Sequence, residues 1–238
     1  MKGVFWNSRG LADLAKHRYL SEMVKEEQIH FIALSETGRD DFLEATLKNF
    51  CGGRDFIWHS MAPHGRSGGI LLGADLNYFD IGAIDEGDFY VKFILRDKSD
   101  GFKFALYVVY GPAQHNNKEA YLVEMAHTCS RESLPYIIGG EFNIMRHRDD
   151  KSIDNFDTKW PNLFNAVIET LDLKKLLCRV VNTLGLVQEM SRPMRNLIEY
   201  LLVRNGKINT LCQWSRLGIE IFPTTLLFLK HRLFYSPG

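Results

Sequence analysis

Tyr136-Ile137-Ile138-Gly139-Gly140-Glu141-Phe142-Asn143 carries a short apolar run into two glycines and then into an acid and an amide. A short apolar run bounded by glycine reads as a buried strand, here Tyr136 to Gly140. Paired glycines permit a sharp exit from the strand, and Glu141 and Asn143, at i and i+2, project to one side if the backbone stays extended. Three other apolar runs close on polar clusters in the same manner. They are Trp6-Asn7-Ser8-Arg9-Gly10, Ser35-Glu36-Thr37 and Val109-Tyr110-Gly111-Pro112. In open α/β sheets the crevice outside strand C-termini is where ligands bind. An amide, a carboxylate, a phenol and a carboxylate-amide pair at four strand ends therefore mark a candidate site.

The rest of the pattern supplies the frame for those ends. Strands are expected at Gly3 to Trp6, Ile29 to Leu34, Asp55 to Met61, Gly69 to Gly73, Tyr78 to Ile84, Phe89 to Leu95 and Phe102 to Tyr110. The last two flank Ser99-Asp100-Gly101, a hairpin signal. Helical periodicity covers Leu11 to Glu27, with Leu14, Leu20, Met23 and Val24 on one face, and also Asp40 to Asn49, Asn117 to Cys129 and Trp160 to Leu171. Strands outnumber helices and a strand-rich middle interrupts the β-α units. That order suits two packed sheets covered by helices.

At 238 residues the chain has room for one large α/β domain with a substantial core. Hydrophobic residues make up 45% and charged residues 24%, which excludes a wholly disordered chain. The formal net charge of zero lacks the basic surplus of a dedicated DNA-binding module. The zero hides an asymmetry. From Lys174 onward ten Lys and Arg face three acids, so this tail carries +7 and residues 1–173 carry −7. A basic tail is often a nucleic-acid arm. Cys51, Cys129, Cys178 and Cys212 are widely spaced, which suggests reduced thiols rather than a zinc site or a disulfide framework. No apolar run approaches the ~20 residues of a membrane span. The expectation is a soluble, intracellular protein without a membrane partner; its oligomeric state is not legible.

Each candidate side chain has a chemical reading and an ordinary one. Glu36, stranded at the end of an apolar run, is costly to bury unpaired, and a hard cation such as Mg²⁺ would relieve that cost; alternatively it caps the next turn or forms a surface ion pair. Asn7 can offer its amide oxygen to the same cation or its NH₂ to a phosphate, or simply close an Asx-turn. Tyr110 either aims its hydroxyl into the crevice or is capped by a carbonyl. Arg146, His147 and Arg148 can meet phosphates, or form a solvated face. His64-Gly65-Arg66-Ser67-Gly68-Gly69 reads as a turn by default.

The four clusters, in this order and sheet context, resemble the endonuclease/exonuclease/phosphatase superfamily, most closely the endonuclease region of plant non-LTR (LINE-type) retroelements. The resemblance implies a four-layer α/β/β/α sandwich, incomplete at the C-terminus, with residues 1–173 as the domain and 174–238 as a degenerate tail. It implies a Mg²⁺-dependent (or Mn²⁺-dependent) endonuclease that hydrolyses DNA phosphodiester bonds in target nicking, and a nuclear location if functional. Glu36 and Asn7 would be the metal residues, Glu141, Asn143 and Tyr110 the catalytic ones, and Arg146 and Arg148 DNA contacts. The family carries Asp where this chain has Glu141, and the extra methylene displaces the carboxylate by more than the ~0.5 Å a catalytic constellation tolerates. Where many relatives have an Asn three residues after the Tyr, this chain has Ala113.

The resemblance stops near Asp172. The family's YTW-like, LDRVL-like and SDHTPL-like segments are missing from the sequence as written. They become permitted if the reading frame slips by one nucleotide near Lys174 to Leu177. Asn182 to Gly185 then permits YTW, Leu197 to Leu201 permits LDRVL, and Phe222 to Leu227 permits SDHTP. The tail would on this reading be an out-of-frame product, not expected to complete the second sheet, with His231 unrelated to the lost catalytic histidine. Three functions compete at this point: a Mg²⁺-dependent endonuclease, a non-catalytic remnant that at most binds a cation or nucleic acid weakly, and a phosphatase for a small phosphorylated substrate.

Overall fold

The structure, a computed structural model, describes residues 1–63, 68–146 and 157–173, together with the backbone of 174–175, 202–204 and 226–228. His64, His147, Arg148, Cys178, Cys212 and His231, like the Asn182 to Gly185 and Leu197 to Leu201 segments, lie outside the described residues.

The order is β1 (Gly3–Asn7), α1 (Leu14–Glu26), β2 (Phe31–Ser35), α2 (Glu44–Phe50), β3 (Phe56–Met61), β4 (Ile70–Asp75), β5 (Phe79–Glu86), β6 (Tyr90–Asp97), β7 (Lys103–Tyr110), α3 (Lys118–Arg131), β8 (Tyr136–Glu141), α4 (Lys159–Thr170), β9 (Lys174–Lys175), β10 (Leu202–Arg204) and β11 (Leu226–Phe228). One sheet runs β11-β1-β2-β4-β3 and the other β5-β6-β7-β8-β10-β9. Two pairs are parallel, β1 with β2 across α1 and β7 with β8 across α3. Parallel neighbours need such a crossover, because a tight turn can only reverse the chain.

Strand alternation builds the layers. Phe104, Leu106 and Val108 of β7 join Phe5, Phe31, Ile70, Leu72, Phe93 and Ile137 in the core between the sheets. The alternate residues Ala105, Tyr107 and Val109 face the other way, with Tyr136 and Ile138, against Tyr121, Met125, Phe164 and Ile168 of α3 and α4. On the opposite side, Val4, Trp6, Ile32 and Leu34 meet Leu20, Met23, Val24 and Phe50 of α1 and α2. Central strands buried on both faces are continuous in apolar character, which is why their runs stand out in the sequence. The layers are therefore helix, sheet, sheet, helix.

Three expectations need correction. Leu14 does not join the α1 face: it is 66% exposed, because the helix starts there and its buried stripe begins a turn later at His17. The second helix starts at Glu44 rather than Asp40, since Leu43 is extended (φ −64°, ψ 138°). The tail also adds to the sheets: β10 pairs antiparallel with β8, and β11 pairs antiparallel with β1. Residues beyond Leu177, not expected to complete the second sheet, thus still pair with β1 and β8. Among the described residues, however, those after Leu173 supply only strands of two or three residues. None of the described helices is long and apolar enough to cross a membrane. Cys51 and Cys129 are buried and form no disulfide among the described residues.

Candidate active site

The two parallel pairs end at the same place. Asn7 is in register with Ser35 at the ends of β1 and β2, and Tyr110 with Glu141 at the ends of β7 and β8. Two hydrogen bonds cross between the sheets there. Asn7 Nδ2 donates to Glu141 Oε2 at 2.7 Å, and the Tyr110 hydroxyl donates to Glu36 Oε1 at 3.4 Å.

Glu141 is 3% exposed. Burial pushes its carboxyl up to about 7, and the Glu36 charge acts in the same direction; the Asn7 amide, the Asn143 N–H and the Arg9 charge oppose them. The Asn143 N–H reaches Glu141 Oε1 at 3.3 Å, so each carboxylate oxygen has a donor. Close approach of backbones makes glycine necessary on both sides of this acid. A Cβ on Gly140 (φ +127°) would lie 2.2 Å from the Val109 carbonyl oxygen, and one on Gly111 would lie 2.2 Å from that of Phe142.

The backbone does not stay extended beyond Glu141. The strand ends at that residue and Asn143 is left-handed (φ +51°), so the i, i+2 expectation for the pair does not describe the arrangement. Asn143 Nδ2 instead donates to the Gly111 carbonyl at 2.7 Å, while Lys118 Nζ donates to the Asn143 carbonyl at 2.7 Å. Asn143 thus ties the loop after β8 to the end of β7. Asn7 closes the Asx-turn as well, its Oδ1 accepting the Arg9 N–H at 3.2 Å. Glu36 is half-buried and left-handed (φ +52°). Arg146 is turned toward α4: its Nε donates to Asn165 Oδ1 at 2.7 Å, and Asn165 Nδ2 donates back to the Arg146 carbonyl at 3.2 Å.

The loop from Ser8 to Gly10, which follows Asn7, is bonded on both sides. Lys16 Nζ donates to the carbonyls of Ser8, Arg9 and Gly10 at 2.7, 3.2 and 2.9 Å, and the Ser8 hydroxyl donates to Ser35 and Glu36 carbonyls. No short motif announces Lys16, which acts across six to eight residues by folding back from α1.

Among the described residues no group of three or more His, Cys, Asp or Glu side chains is gathered for a metal ion. Two carboxylates, Glu36 and Glu141, do share these strand ends with the Asn7 amide oxygen. Mg²⁺ is commonly held by one or two carboxylates plus waters and substrate phosphates, and a cation here would offset the burial, and with it the Glu36 charge, that raise Glu141. The donor set fits such an ion.

No family model and no curated protein sequence matches the chain. Solved structures do match its fold. An AP endonuclease from Archaeoglobus fulgidus aligns with a TM-score of 0.68 at 12% identity over 98% of this chain and 100% of that chain. The AP endonuclease LMAP from Leishmania major gives 0.65 at 15% identity over 97% and 88%. The endonuclease domain of TRAS1, a telomere-specific non-LTR retrotransposon, gives 0.61 at 11% identity over 97% and 98%. At such identities the likeness concerns the fold, which hosts more than one chemistry. The chain adopts the four-layer α/β/β/α sandwich of the endonuclease/exonuclease/phosphatase type.

Proposed function

We propose that this chain descends from a divalent-metal-dependent endonuclease that hydrolyses DNA phosphodiester bonds, of the kind used in retroelement target nicking, and that as written it is catalytically impaired. The observation that carries the reading is the pair of cross-sheet bonds, Asn7 to Glu141 and Tyr110 to Glu36, at the ends of four strands. Glu36 and the Asn7 amide oxygen would hold Mg²⁺ or Mn²⁺, which when bound neutralises phosphoryl charge. Glu141, with a carboxyl near neutrality, can give or take a proton at its Oε atoms, and Asn7 and Asn143 fix its orientation. The Tyr110 hydroxyl orients Glu36. Arg146 and Arg148 serve phosphates beyond the scissile bond.

Impairment follows from the tail. The SDHTPL-like histidine and acid are missing from the sequence, and removing one acid-base group typically costs ~10²–10⁴ in rate. On the frame-slip reading, β10 would follow directly on the Leu197 to Leu201 segment and β11 would overlap the end of Phe222 to Leu227. Residues 174–238 are on this reading an out-of-frame version of strands that once carried the motifs. A nuclear location would accompany the ancestral activity.

The test is nicking of supercoiled plasmid in Mg²⁺ or Mn²⁺. The chain as written is expected to stay at background, and a frame-repaired chain carrying Glu141→Asp to nick measurably. Metal-dependent nicking by the unrepaired protein that vanishes in Glu36→Ala would refute the impairment; a repaired protein that folds but stays inert would refute the nuclease ancestry.

A further inference from the structure

We propose that Arg9 is an anion clamp of this crevice, taking a non-bridging oxygen of a substrate phosphate; the DNA form of this proposal rests on the nuclease reading above. Arg9 is exposed and left-handed (φ +46°), followed by left-handed Gly10 (φ +83°). Positive φ is uncommon for a residue with a Cβ and persists where the surroundings over-determine it. The surroundings here are explicit. Lys16 holds three consecutive carbonyls of the loop, and backbone bonds from Ser8, Gly10 and Leu11 N–H groups to the Ser35, Glu36 and Thr37 carbonyls (2.9, 2.6 and 3.0 Å) stitch it to the strand end carrying Glu36.

The loop is rigid in its backbone connections, yet its one long cationic side chain is uncommitted. Among the described residues the Arg9 guanidinium has no hydrogen-bond or ion-pair partner. The backbone N–H of Arg9 bonds to Asn7, which bonds to Glu141, and the Gly10 N–H bonds to the Glu36 carbonyl, so the loop that carries Arg9 is linked to both acids of the site. Its charge is felt at Glu141. A planar, always-charged fork on a fixed backbone, beside two acids suited to a cation, matches a phosphate better than a third carboxylate partner would. The purpose of straining a non-glycine residue at this position is then the presentation of that fork.

The experiment measures binding of inorganic phosphate by calorimetry and of a fluorescent DNA duplex by anisotropy across a salt series. Wild type is compared with Arg9→Gln, Arg9→Lys and Arg9→Asn, the last chosen because Asn tolerates positive φ. Circular dichroism checks that each variant is folded. Arg9→Gln and Arg9→Asn are expected to weaken both ligands by on the order of fivefold and to reduce the DNA salt slope by about 1, with Arg9→Lys keeping the slope. A fall in phosphate affinity with an unchanged DNA slope supports the clamp but overturns its assignment to a nucleic-acid strand. Wild-type behaviour of folded Arg9→Gln and Arg9→Asn toward both ligands, or no binding of either by the wild type, overturns the clamp. Plasmid nicking does not enter these readouts, so an inert repaired enzyme would remove the nuclease reading without deciding the role of Arg9.

Discussion

The two hydrogen bonds that join the sheets at the candidate site have the same topology and different characters. Asn7 to Glu141 is short, at 2.7 Å, and buried; Tyr110 to Glu36 is long, at 3.4 Å, and half-buried. Glu141 has a donor on each oxygen and sits among backbones too close for a Cβ on Gly140. Glu36 is a half-buried, left-handed residue just beyond the end of β2. One acid is thus built into the frame, and the other is left available to a ligand. A site that must bind and release charge needs both, because a fully satisfied buried network is rigid while an accessible carboxylate can exchange partners.

The frame side of this contrast is the one most easily destroyed. Gly140→Ala, which drives a Cβ toward the Val109 carbonyl at φ +127°, is expected to cost roughly 3 kcal/mol or more, or to prevent folding, as read by urea denaturation. An effect below about 1 kcal/mol would mean that the strand end is not held tightly.

Ionisation of Glu141 comes next. Its folded carboxyl lies at about 7 against an ordinary value of 4.5, so the native state binds the proton more tightly than the unfolded chain does. This group's contribution to stability therefore falls as pH rises from about 4.5 to 7, by on the order of 3 kcal/mol in total. Glu141→Gln should show a smaller decline over that window in denaturation curves taken at each pH, and an unchanged decline would assign the effect to another group.

Removing the buried donor is smaller. Asn7→Ala leaves Glu141 Oε2 without its partner and should cost about 1–3 kcal/mol at pH 8, and less at pH 5, where the carboxyl is protonated. Tyr110→Phe should cost no more than about 0.5 kcal/mol, since a 3.4 Å bond at a half-buried site contributes little. Equal losses in Asn7→Ala and Tyr110→Phe would erase the distinction between the two sides.

Strands, helices and the residues that close the strands were legible in the linear sequence, because apolar runs and helical periodicity are local properties of neighbouring residues. The Tyr136 to Gly140 strand and the Ser99-Asp100-Gly101 hairpin follow from that alone. Leu14 was misread for the same reason: periodicity assigns it a face but not the point where the helix enters the core. The partner of each site residue was decided only by tertiary structure. Asn7 meets a carboxylate 134 positions away, Tyr110 meets one 74 positions away, and Asn143 turns its amide back to Gly111 because the chain leaves its strand at Glu141. Lys16 and Arg9 acquire their roles only when the loop after β1 is bonded to the end of β2. Such pairings depend on how two sheets stack, and stacking is a sum over many distant contacts that no single stretch of sequence contains.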